Sequence, residues 1–187
     1  MRLLICFVGL LFTLCLRHGY LPDDIIKAVV KNKTGDVSDK NNYRPITLAT
    51  TIAKVLDGVL DRYLTKYVEL DDAQFGFRQK LSTESAILVL KHTVKYYTDR
   101  STPVDTAFLD LSRAFDLVDY RRLWDKLKAT GMPDAVINIF KYWYQHQANY
   151  VRWSGSLSHP YGLKCGVRQG GLTSPTLFNL YIDGLIR

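Results

Sequence analysis

The chain opens on an almost wholly apolar run, Leu3 to Leu16, that follows Arg2 and stops at Arg17-His18. Such a run fits a helix buried in a fold, and it also copies the charged start and apolar stretch of a secretory signal. It is shorter than the ~20 apolar residues that a spanning helix needs, and no clear small-x-small cleavage site follows it. The expectation is therefore a buried helix. A small secreted or membrane-tethered protein is the rival, resting on this run alone. Residues 32–42 then lack apolar side chains except Val37 and predict a polar loop around Gly35.

Beyond that loop Ile52, Val55, Leu56, Val59, Leu60, Tyr63 and Leu64 recur at spacings of three and four. This period predicts a long helix with one apolar stripe, slightly weakened by Gly58. Ser82 can cap a second helix, with Glu84 in the first turn where a negative charge suits the macrodipole, running through Ile87, Leu90, Val94 and Tyr97. After Pro103, Val104 to Leu109 reads as a short buried strand. Asp119 caps a helix that contains Leu123 and Leu127 and stops at Gly131, and Pro133 suits the first turn of the next. Asn149 to Trp153 and His159 to Lys164 alternate like strands around Ser154-Gly155-Ser156, a hairpin turn, and helix returns after Pro175. Helices, strand and hairpin in this order lack a regular βαβ alternation, so the predicted fold class is α+β.

Composition narrows the picture only a little. A length of 187 residues with 47% hydrophobic side chains can bury a core of about one domain. The excess of 25 Lys+Arg over 18 Asp+Glu, a net +7, favours a polyanionic partner such as nucleic acid or an anionic membrane surface. Cys6, Cys15 and Cys165 show no C-x-x-C spacing and leave an odd count. Neither a zinc site nor a disulfide framework is indicated, and a reducing, intracellular compartment, nucleus or cytoplasm, is expected. No repeat, low-complexity tract or linker divides the chain.

Four stretches offer chemistry, and each has an ordinary alternative. Ala107 to Asp116 reads Ala-Phe-Leu-Asp-Leu-Ser-Arg-Ala-Phe-Asp. It delivers the Asp110 carboxylate at a strand end, where a hard cation such as Mg²⁺ finds oxygen ligands; otherwise Asp110 and Asp116 are turn and helix caps. Gly166 to Pro175 is glycine-rich, with Arg168 and Gln169 able to offer a cation and an amide to phosphate or sugar. Otherwise it is a loop before a Pro-initiated helix. Asn42-Tyr43-Arg44-Pro45-Ile46 could hold a guanidinium toward phosphates, or simply expose a solvated arginine. Gln74-Phe75-Gly76-Phe77-Arg78 could stack on bases and touch a backbone, or supply core aromatics.

Taken together, in this order and spacing, the four resemble the reverse transcriptases of non-LTR (LINE-like) retrotransposons. The resemblance runs from about Leu14 to the end, through Asn-Tyr-Arg-Pro-Ile, Gln-x-Gly-Phe-Arg, Phe-Leu-Asp-Leu-Ser-x-Ala-Phe-Asp and Arg-Gln-Gly-x-x-x-Ser-Pro-x-x-Phe-Asn. It implies a right-hand polymerase with fingers at about 1–100 and an incomplete palm at 101–187. It also implies Mg²⁺ as cofactor, with an RNA template, a DNA primer and deoxynucleoside triphosphates as partners and no specific protein partner.

By the same resemblance Asp110 is the catalytic, metal-binding aspartate, and Arg44, Leu111, Phe115, Gln169 and Gly170 surround the nucleotide. Phe115 is the bulky residue under the sugar that excludes a 2′-hydroxyl. Phe75, Gly76, Phe77, Arg78 and Arg168 are the expected template–primer contacts, and Asp116 is structural.

Two departures qualify this expectation. Val29-Val30 passes straight into Lys31-Asn32-Lys33 where the family has a longer apolar stretch with proline. The aromatic-x-Asp-Asp box that supplies the remaining carboxylates is also absent. Tyr181-Ile182-Asp183-Gly184 resembles a decayed copy of that box but falls where a helix is expected. The chain is thus expected to be an inactive polymerase fragment, with a non-catalytic nucleic-acid-binding remnant as the alternative.

Overall fold

Helix predominates in the structure, a computed structural model that describes residues 2–19, 21, 28–30, 47–153 and 156–186. The loop expected over 32–42, Arg44, and residues 154 and 155 of the expected turn lie outside the described residues. Six α-helices are described: α1 Arg2–His18, α2 Thr51–Tyr67, α3 Thr83–Thr98, α4 Tyr120–Ala129, α5 Asp134–His146 and α6 Ser174–Ile182. Three short strands, β1 Ala28–Val30, β2 Asn149–Trp153 and β3 Ser156–Leu157, form one sheet in the order β1-β2-β3. β1 pairs in parallel with β2, setting Val29 opposite Tyr150, and β2 pairs antiparallel with β3.

Local chemistry explains the helix limits. Thr50, Ser82 and Asp119 each accept a hydrogen bond from a backbone N–H three residues on, capping α2, α3 and α4. After α4, Gly131 takes a positive φ of 76°, a turn that glycine adopts without steric cost. Pro133 stands one position before α5, as its N-cap, and Pro175 lies in the first turn of α6.

α5 is the centre of the core. Val136, Ile137, Ile139, Phe140, Trp143 and Tyr144 are all buried, so its apolar face is broad and meets α1 on one side and α4 on the other. The stripe of α4 is narrow, Leu123, Trp124 and Leu127, which suits a helix that is otherwise charged. α6 packs on both α4 and α2 through Leu177, Phe178 and Leu180. Each fully buried Leu or Ile contributes roughly 1.5–3 kcal/mol.

α1 behaves as a helix of the fold, seating Phe12 and Cys15 against the core while Leu10 and Leu14 face outward. Burial pushes the Cys15 thiol pKa up. Among the described residues no helix is long and apolar enough to cross a membrane.

Several sequence expectations need correction. The buried face of α2 is Ala53, Leu56, Asp57, Leu60 and Leu64, rotated from the predicted stripe, because Ile52 and Val55 are exposed. α3 has the predicted cap but buries none of its residues. Val104 to Leu109 is not a strand: it has no regular structure, with Phe108 83% and Leu109 94% exposed. A strand is stable only with a neighbour for its N–H and C=O groups, and no backbone hydrogen bond joins residues 103–112 to another described residue. From His159 to Lys164 the only pairing among described residues is an isolated bridge between Tyr161 and Asn149.

Candidate functional site

The segment after Asp110 turns sharply. Arg113 takes a left-handed φ of 54°, and Ala114–Leu117 follows as a 3-10 turn. This turn runs beside the start of the glycine-rich stretch. Gly166 donates its N–H to Val118 O (2.8 Å) and Val167 donates to Phe115 O (2.7 Å). Gly166 has φ +92°, and a Cβ there would lie 2.8 Å from Asp116 O, so only glycine allows this approach. The Cys165 thiol donates to the same carbonyl at 3.3 Å.

Two of the motifs read from sequence are thereby brought side by side. The Gln169 side-chain amide donates to Asp116 Oδ1 at 2.7 Å. The Phe115 ring sits 4.7 Å from that of Phe178 and 5.7 Å from that of Phe77, centroid to centroid. The third motif joins through Phe77, and its loop is fixed to α6: Gln74 Nε2 donates to Asn179 O (3.2 Å), and Asn179 Nδ2 donates to Gly76 O (2.6 Å). Phe77 is 67% exposed and holds a φ of +55°, an uncommon conformation for a non-glycine residue. Arg78 spends its guanidinium on its own loop, donating to Asp71 O and Gln74 O. Phe75 is half-buried, and Gly76 and Gly170 are exposed.

Phe77 and Arg78 also edge a cavity of about 750 Å³ lined by Asp61, Glu69, Leu172 and Pro175. Burial and the neighbouring Asp57 push the Asp61 carboxyl pKa up, against a hydrogen bond from Thr176 that lowers it.

Arg168 does not present its cation to the surface as expected. It is 4% exposed, its Nη2 lies 3.1 Å from Asp57 Oδ1, and its guanidinium stacks 3.6 Å from the Trp143 ring centre. A buried cation needs a partner charge, and Asp57 provides it. Asp57 escaped the sequence reading, although a carboxylate inside the stripe Ala53, Leu56, Leu60, Leu64 was the available signal.

Asp110 and Leu111 stand apart from this cluster on the exposed segment. Among the described residues no group of three or more His, Cys, Asp or Glu side chains could hold a metal ion. Asp183, the acid of the box-like Tyr181–Gly184 stretch, lies where α6 passes into a 3-10 turn, and its Oδ1 accepts from Asp71 N (2.9 Å). The stretch is helical as expected, and the bond from Asp71, which the sequence did not suggest, ties the end of α6 to the loop after α2. The described residues do not fit Mg²⁺ by themselves.

Residues 30–187 match the model of the family described as reverse transcriptase (RNA-dependent DNA polymerase). The chain belongs to the reverse transcriptase family. Its relatives include the Retrovirus-related Pol polyprotein from type-2 retrotransposable element R2DM of Drosophila melanogaster, 30% identical over 95% of this chain and 17% of that protein. The RNA-directed DNA polymerase from mobile element jockey of the same species is 30% identical over 96% of this chain and 20% of its own length. A reverse transcriptase-like protein of Chlamydomonas reinhardtii is 25% identical over 90% of this chain and 42% of its length. The chain thus spans about a fifth of the first two relatives, and the motifs that met in the site are reverse transcriptase motifs of the non-LTR retrotransposon kind.

Proposed function

We propose that the chain is the fingers and part of the palm of an RNA-directed DNA polymerase, with residues 1–100 as fingers and 101–187 as palm. The observation that carries this reading is the convergence of Phe115, Asp116 and Gln169, with the Gln169 amide 2.7 Å from Asp116 Oδ1 and Phe77 against Phe115. An apolar ring beside an oriented amide is a wall that can take a sugar face and reject an extra hydroxyl, because that hydroxyl would lose its water against the ring. Gly170, exposed next to Gln169, lets a ligand approach the backbone, and Arg44 contributes a bidentate cation toward a triphosphate. Phe75, Gly76 and Phe77 contact template or primer, while Arg78, expected to do the same, braces their loop from Asp71 and Gln74. Arg168 acts from inside.

The partners of the reading are an RNA template, a DNA primer and deoxynucleoside triphosphates, met in an intracellular compartment. Divalent metal ions supply the family's phosphoryl-transfer chemistry when bound. Of the carboxylates that the family resemblance assigns to these ions this sequence carries Asp110, and the 187-residue chain is proposed to be inactive by itself.

Primer extension on an RNA template, with Mg²⁺ or Mn²⁺, should give no product from residues 1–187. A chimaera in which this segment replaces its counterpart in the jockey polymerase should extend the primer, lose activity on Asp110→Ala and admit ribonucleotides more readily on Phe115→Ala. A chimaera whose activity survives Asp110→Ala would sink the assignment.

The isolation of Asp110 also favours a second reading, a non-catalytic nucleic-acid-binding remnant. In that case the chain should still bind RNA–DNA hybrid without sequence preference, and more weakly as salt rises.

A further inference from the structure

Asp57 lies on α2, 4% exposed, with its carboxylate turned toward a loop more than a hundred residues away. Its Oδ1 accepts from Arg168 Nη2 (3.1 Å) and Thr173 Oγ1 (2.7 Å), and its Oδ2 accepts from Leu172 N (2.7 Å). The approach is close: a Cβ on Gly171 would stand 3.3 Å from Asp57 Oδ2 and 2.7 Å from Ser174 Oγ. On the far side of the loop, Gln169 O accepts from Thr47 N at 2.7 Å. Gln169 is therefore held by its own carbonyl, by the anchored residue before it and by the anchored residues after it. Its side chain reaches Asp116 from a backbone that has little room to move.

We propose that Asp57 is the positioning residue of the site, setting the 168–173 loop so that the Gln169 amide meets Asp116 beside Phe115. The proposal rests on Gln169 as a nucleotide-facing residue. A carboxylate performs this task because one group accepts from a guanidinium, a hydroxyl and an amide N–H in three directions. An apolar side chain would fill the space and direct nothing. Trp143 closes the far face of the guanidinium, so Arg168 is fixed in orientation as well as in place.

The test uses the full chain with its glutamines selectively ¹⁵N-labelled, the Gln169 amide pair being assigned by its loss in Gln169→Asn. Asp57→Leu together with Arg168→Met removes every acceptor of the tether without leaving a buried charge unpaired. In this variant the Gln169 amide signals should shift to free-amide positions while signals of the α5 core stay in place. Thr173→Val, which keeps the ion pair, should shift the same signals by a smaller amount. Unmoved Gln169 signals in either folded variant overturn the proposal.

Binding to an RNA–DNA hybrid separates this result from the underlying reading. If the unmodified chain binds no hybrid, the polymerase reading fails while the amide shift still stands. If it binds, Gln169→Ala and the Asp57/Arg168 double variant should weaken binding by the same factor, with no further loss when combined. Losses that multiply would mean that Asp57 acts by another route.

Discussion

The stretch from Gly166 to Ser174 and the stretch from Pro103 to Ser112 hold the two halves of the expected chemistry, and they are built in opposite ways. The first is tied by backbone bonds to Phe115 and Val118, by an ion pair to Asp57, and by an amide to Asp116. The second carries Asp110 with Leu109 94% exposed and no backbone bond to other described residues. The order of the first stretch thus does not depend on the segment that carries Asp110. A preorganised wall is useful to binding because its ordering entropy has been spent on folding.

The largest effect is expected at Trp143. Trp143→Ala removes a fully buried ring and uncovers the Arg168 guanidinium, and should cost about 3–5 kcal/mol in denaturant melts. A loss below about 1 kcal/mol would mean that α5 does not anchor the loop. Gly166→Ala comes next. It forces a side chain into a left-handed backbone against Asp116 O and should cost about 1–3 kcal/mol. A neutral result would show that the 3-10 turn and the glycine-rich loop are not held so close.

Asp61→Asn probes the rim of the cavity at smaller amplitude. The folded-state pKa of Asp61 is raised, so its contribution is fully present below the ordinary carboxylate value of 3.8 and is lost as pH rises through the raised value. The variant should therefore melt slightly higher than the parent at neutral pH, and the gap should close on acidification. An unchanging gap would point to a lost contact instead. Least of all, Leu109→Ser should alter stability by no more than about 0.5 kcal/mol, since its side chain is 94% exposed. A substantial loss would reveal a hidden partner for the exposed segment.

Much of the fold was legible wherever one residue acts on its near neighbours. Ser82 and Asp119 cap helices because their oxygens reach N–H groups three residues on, and Gly131 stops α4 because its φ is positive. Val104 to Leu109 was misread because strand composition says nothing of whether a second strand is alongside. Asp57 and Arg168 were missed as a pair for a related reason: a charge inside an apolar stripe signals burial, but its counter-charge lies 111 residues away. The motifs identified the family, whereas their geometric roles needed the tertiary contacts.

That separation also bears on the time course of synthesis. At ~5–20 residues per second on the ribosome, Arg168 emerges on the order of 5–20 s after Asp57. α2 must pass that interval with a carboxylate in the middle of its apolar face, still hydrated and still repelling premature burial. Burying an unpaired carboxylate is costly, so closing the apolar face of α2 onto the core is favourable only once that guanidinium is available.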